Sequence, residues 1–106
     1  MITLNKDAEP INSMPGVIRR TLATGKSMMI CEFTFEANTA IPIHSHPHEQ
    51  VGYVVEGHVE MDIGGQKIAL LKGDSYYSPS NVPHGAKMFK PTIIVDSFSP
   101  PREDYR

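Results

Sequence analysis

The sequence predicts an all-β fold, a small single-domain barrel, and three observations carry that prediction. Apolar and polar residues alternate over short runs, most cleanly where Met29, Cys31, Phe33 and Phe35 interleave with Ile30, Glu32, Thr34 and Glu36. A period of two is the signature of a half-buried strand. Nine prolines and eight glycines interrupt the chain too often for long helices. The resulting short strands recur at near-regular spacing with turns between them, the pattern of a β-sandwich or barrel.

Composition limits what such a barrel can do. The 106 residues suffice for one domain with one modest core. With 40% apolar and 21% charged residues, the chain is an ordinary globular protein rather than a disordered one. A net charge of −2 without any basic run argues against nucleic acid as a partner. The opening MITLNKDAEP lacks an apolar signal core, and no run is long enough to span a bilayer, so neither secretion nor a membrane partner is expected. The single cysteine, Cys31, excludes an intrachain disulfide and fits the reducing cytoplasm.

Taken in order, residues 1–16 show little periodicity and carry Pro10 and Pro15, which predicts an N-terminal arm with one short strand; the barrel domain follows over residues 17–106. Val17 to Ala23 is β-rich, and Thr24-Gly25-Lys26 turns it. The strand around Cys31 comes next, with the thiol facing the core. Val59, Met61 and Ile63 alternate with His58, Glu60 and Asp62, which puts His58 on the outer face. Gly64-Gly65 is a two-residue hairpin signal, after which Ile68 and Leu70 face inward. Gly73-Asp74 marks a turn, Ser75 to Ser78 a short strand, and Pro79 to Pro83 a bend. Thr92 to Phe98 reads as a strand apolar on both faces, followed by the proline-broken tail PPREDYR. Phe33, Phe98 and Tyr53 are expected in the core or in a pocket wall.

The stretch Ile43 to Gly57, IHSHPHEQVGYVVEG, carries the chemistry. His44, His46, His48 and Gln50 fall at alternate positions, and on an extended strand all would face one side. Imidazole is the commonest metal ligand, and such a cluster is hard to explain by packing. His84, in SNVPHG, supplies a further histidine from a separate segment. Alternation does not decide between His48 and Gln50, because Pro47 can reset the strand phase. Glu49, of opposite parity, is expected to point away.

With these residues in view, the chain resembles the cupin superfamily. The first cupin motif matches His44-Ser45-His46, Gln50 and Gly57, and the second matches Gly73, Pro79 and His84. The resemblance implies a double-stranded β-helix, or jelly-roll barrel, with one divalent metal (zinc, nickel, iron, cobalt or manganese) ligated by His44, His46, Gln50 and His84. With Gln50 in that set, His48 is expected behind the ligands or on the rim, from where it could exchange in as a ligand. Gln50 replaces the usual glutamate and Asn81 the second-motif glycine; asparagine tolerates unusual backbone angles. A neutral amide leaves the metal's charge uncompensated, which favours Lewis-acid chemistry on an anionic substrate over the two-histidine, one-carboxylate pattern of iron oxygenases.

A narrower resemblance covers HSHPHEQVGYVVEG, GDSYYSPSNVPHG and VDSFSPPREDY, which look like the pectin-degradation cupins. It implies isomerase- or lyase-like, non-redox conversion of a 4,5-unsaturated uronate into its linear keto form. Asp96 shares its strand face with Ile94 and Phe98, where a carboxylate must be paired, protonated or functional. It is the candidate proton carrier, against a structural bond to Arg19 or another barrel residue. Arg102 presents a planar fork suited to a carboxylate and is the candidate clamp, against a surface pair with Glu103 or Asp104. The competing readings are a metal-dependent dioxygenase and a non-catalytic module that binds a small acid. Exposed sheet edges predict a homodimer.

Overall fold

A computed structural model describes residues 1–106 and shows ten strands, with two single 3₁₀ turns near the termini at Asn5–Asp7 and Glu103–Tyr105. The strands are β1 (Ile11–Met14), β2 (Val17–Thr24), β3 (Met29–Phe35), β4 (Ala40–His44) and β5 (Glu49–Glu56), followed by β6 (His58–Ile63), β7 (Gln66–Leu71), β8 (Ser75–Ser78), β9 (His84–Met88) and β10 (Thr92–Ser99). Six of them form one sheet in the order β1-β2-β3-β10-β5-β8, and four form the other in the order β4-β9-β6-β7. Every pairing is antiparallel. No helix is long and apolar enough to cross a membrane.

The alternation around Cys31 is realised in full. Met29, Cys31, Phe33 and Phe35 are buried, and the residues between them are half-buried. With Val17, Val54, Val59, Met61, Leu70, Met88, Ile94 and Phe98 they make a single core between the sheets. Phe98 and Met29 are almost fully enclosed, which contributes about 1.5–3 kcal/mol for each such side chain. The short strand of the N-terminal arm is β1, and it extends the large sheet by pairing with β2.

Gly64 and Gly65 both adopt positive φ, 60° and 85°, as the tight hairpin between β6 and β7 requires. Asn81 occupies the left-handed region at φ 63°, so it does the work of the glycine it replaces. His58 lies half-buried on the outer side against the Phe89 ring.

Three local expectations need correction. Leu70 is buried as expected, but Ile68 is half exposed, because β7 is the edge of the smaller sheet and projects past the core. Tyr53 is also half exposed: it shares the outer face of β5 with Val51 and Val55, while Gln50, Gly52 and Val54 point inward. The histidine stretch is not one strand. The small sheet ends at His44, residues 45–48 cross between sheets, and the large sheet resumes at Glu49. Pro47, without an N–H to pair, lies in that crossing.

Candidate metal centre and its carboxyl neighbour

The crossing brings donors from both sheets to one point. His44 is the last residue of β4 and lies opposite His84, the first of β9. His46 sits on the crossing itself, held by a bond from the Asn81 amide to its carbonyl at 2.8 Å. The three histidines each offer a nitrogen within 4.8 Å of the others.

The hydrogen bonds fix the tautomers. Nδ1 of His44, His46 and His84 faces the carbonyl oxygen of Pro42, His48 and Val82 at 2.9, 3.0 and 3.0 Å respectively. A carbonyl only accepts, so each Nδ1 carries a proton, and in the neutral form of such a ring Nε2 is a bare lone pair. This is the arrangement by which proteins orient metal-binding imidazoles. Burial, helped by the Arg102 charge and by His84, lowers the pKa of His46; burial, with His44 and Arg102 adding to it, lowers that of His84. Both are therefore held neutral.

Two contacts then lack a proton. His84 Nε2 is buried without any hydrogen-bond partner. His46 Nε2 lies 3.0 Å from Gln50 Oε1, lone pair against lone pair. Rotating the Gln50 amide does not cure this simply, because Gln50 Nε2 donates to the Tyr76 hydroxyl at 2.7 Å. Converging acceptors with no hydrogen between them fit a bound cation, and the donor set of three imidazoles and an amide oxygen suits a divalent transition metal. His48 contributes its carbonyl to orient His46 and stands outside the convergent group, while Glu49 points outward to the Tyr77 hydroxyl at 2.6 Å.

From Gln50 a chain of polar groups runs to Asp96. The Tyr76 hydroxyl accepts from Gln50 and donates to Asp96 Oδ1. The register explains why they meet: Asp96, Gly52 and Tyr76 lie side by side across β10, β5 and β8. A Cβ at Gly52 would collide with the Tyr76 ring and with Asp96 Oδ1, so the missing side chain makes room for the bond. Burial pushes the Asp96 carboxyl up to about 7, against the lowering effects of Tyr76 and Gln50. Burial and the neighbouring Asp96 raise the Tyr76 phenol well above its usual range. Asp96 thus exchanges its proton near neutrality while Tyr76 keeps its own. The bond from Asp96 goes to Tyr76 and not to Arg19.

A cavity of about 200 Å³ opens onto these groups, lined among others by His44, His84, Gln50, Tyr76, Asp96 and Arg102. Phe33 and Phe98 form part of its wall, as expected. Arg102 forms the Asp104 pair that the sequence offered, but not as a fully exposed residue. It lines the cavity with a largely covered side chain, and it also forks onto Asp104 at 3.4 and 3.1 Å. Sequence reasoning overlooked Tyr76 and Gly52, because only the strand register reveals that they flank Asp96.

Known proteins share this architecture. The pectin degradation protein KdgF of Dickeya dadantii is 32% identical over 103 residues, which cover 93% of either chain. The solved structure of KdgF from a Halomonas species superposes with a TM-score of 0.95 at 30% identity, over 100% of this chain and 98% of that one. An RmlC-like cupin from Shewanella frigidimarina gives a TM-score of 0.95 at 32% identity, over 99% of this chain and 95% of its own. Residues 31–92, which hold the histidine stretch, Tyr76 and His84, match the cupin domain family. The two-sheet barrel, its inward histidines and this family match agree, and the chain belongs to the cupin family.

Proposed function

We propose that the protein is a metal-dependent, non-redox enzyme that converts 4,5-unsaturated uronates into their linear keto forms. The observation that carries this reading is a buried carboxyl titrating near neutrality, tied through Tyr76 and Gln50 to a cluster of three imidazoles. The name of the Dickeya relative, a pectin degradation protein, supports the substrate class.

His44, His46, His84 and Gln50 would hold one divalent ion, which supplies Lewis acidity to an oxygen of the substrate. Because the four donors are uncharged, the site keeps a net positive potential that attracts an acid. The Arg102 fork binds the carboxylate of the uronate, exchanging its exposed partner Asp104 for the ligand. Asp96 moves the proton. The ring opens by cleavage of the bond between the anomeric carbon and the ring oxygen, leaving an aldehyde and an enol. Protonation of the far alkene carbon and loss of the enol proton then give the keto acid. No atom or electron is gained or lost, and a group with a pKa near 7 serves well as both acid and base. Tyr76 holds Asp96 in place and the apolar wall of Phe33, Phe98 and Ile94 limits water.

The outer face of the large sheet, where Val51, Tyr53 and Tyr77 are each about half exposed, supports assembly as a homodimer. The reaction is tested by following the ultraviolet absorbance of the ring double bond with metal-loaded protein. Accelerated decay without oxygen uptake is expected. Oxygen uptake would indicate a dioxygenase, and saturable binding with no product would indicate a binding module.

A further inference from the structure

The C-terminal 3₁₀ turn carries a residue that neither motif contains. Tyr105 folds back onto the barrel, where its ring lines the same cavity as Asp96 and Arg102. Its carbonyl accepts the Thr21 hydroxyl at 2.6 Å, and its ring meets the edges or faces of Phe33 and Phe98 at centroid distances of 6.1 and 5.7 Å. These contacts fix the ring in one place. Two guanidinium groups then lie over it, Arg102 and Arg19, each with Cζ 4.2 Å from the ring centroid.

Two like charges sharing one ring call for compensation, and little is available elsewhere. Arg19 makes no ion pair, and its Nε is buried without a partner. Arg102 has one ion partner, Asp104, whose side chain is 62% exposed and readily exchanged, and its Cζ lies farther from the Phe98 ring, at 5.5 Å from the centroid, than from Tyr105. The electron-rich faces of Tyr105 are the groups placed to stabilise both cations. A free arginine side chain samples many rotamers, and ordering it on binding costs entropy. Tyr105 removes that cost in advance.

We propose that Tyr105 is a positioning residue, which holds the Arg102 guanidinium against the cavity wall ready for a carboxylate ligand. The uronate reading above supplies only the identity of that ligand. The aromatic face is the working part, so phenylalanine should substitute for tyrosine and an aliphatic residue should not.

The test uses full-length, metal-loaded protein carrying Tyr105→Phe, Tyr105→Leu or Tyr105→Met, with metal content confirming the native fold. Two aliphatic variants are included so that one that folds poorly does not end the experiment. The first readout is the relaxation of the Arg102 Nε–H signal in nuclear magnetic resonance, assigned with Arg102→Lys. Wild type and Tyr105→Phe should show an ordered signal, and the aliphatic variants a mobile, averaged one. The second readout is turnover of an unsaturated galacturonate. The aliphatic variants should raise KM by about three- to tenfold, with the smaller part of the loss in kcat, and Tyr105→Phe should restore KM. An Arg102 signal as ordered in the aliphatic variants as in wild type would overturn the inference. If wild type turns over no uronate, the reaction reading fails, and the resonance comparison still decides the role of Tyr105.

Discussion

Replacing Asp96 by asparagine should destroy the reaction and stabilise the fold, and the structure gives both magnitudes. Asp96 is 5% exposed, and its pKa stands at about 7 against an ordinary 3.8. Between those two pH values the folded chain holds a proton that the unfolded chain has released. Stability therefore falls as pH rises through this window, and the full penalty is present above pH 7. About three pH units at about 1.4 kcal/mol each make the ionised carboxylate cost roughly 4 kcal/mol. Asparagine is neutral throughout and retains an oxygen for the Tyr76 hydroxyl. Its amide gains no certain partner, which returns about 1–2 kcal/mol of the benefit.

The expected result is thus a gain of about 2–3 kcal/mol at pH 8, turning into a loss of about 1–2 kcal/mol below pH 4. For a chain of this length the gain corresponds to a rise in Tm of roughly 10–20 °C. The measurement is thermal and urea unfolding of chelator-treated wild type and Asp96→Asn across that range. Every other ionisable side chain is common to the two proteins, so the difference between them isolates Asp96. Turnover by the metal-loaded variant should fall by about 10²–10⁴-fold, the usual worth of a positioned acid–base group, with metal content unchanged. A stability difference that does not depend on pH, or an asparagine variant weaker than wild type at pH 8, would refute the reasoning.

Other variants separate the ligands from their surroundings. His84→Ala should lose the metal by elemental analysis, since it removes the donor contributed by the second motif. Gln50→Ala should weaken metal affinity more than His48→Ala does in a competition titration, because only Gln50 directs a lone pair toward His46 Nε2. Gly52→Ala should cost about 1–3 kcal/mol by denaturant titration and sharply reduce turnover, because the new methyl group displaces Tyr76 from Asp96.

Much of the barrel was legible because it depends on local rules. The alternation of Met29 to Phe35, the paired glycines at 64 and 65 and the isolated Asp96 among Ile94 and Phe98 each state their role within a few residues. The histidines were legible as chemistry but not as geometry. Period-two logic put them on one strand, whereas the chain uses Pro47 to leave one sheet and join the other. This break is what makes the centre possible. A single strand would space donors of one face about 7 Å apart, too far for one ion to bind consecutive pairs from a flat surface. Crossing between sheets lets His44, His46 and Gln50 converge instead, with His84 arriving across the β4–β9 ladder.

What stayed hidden was everything set by register. Nothing in SYYS distinguishes Tyr76, which supports the buried carboxyl, from Tyr77, which lies on the surface. The difference appears only when β8 is laid beside β5 with Gly52 between Tyr76 and Asp96. That three-strand rung also accounts for the asymmetry of the site. On one side Gln50 reaches toward the imidazoles, and on the other Tyr76 bonds a carboxyl whose pKa is raised by burial. An alanine at position 52 would leave every metal donor and the carboxyl itself in the sequence and still separate them. The proposed chemistry therefore depends as much on an absent side chain as on the residues assigned to it.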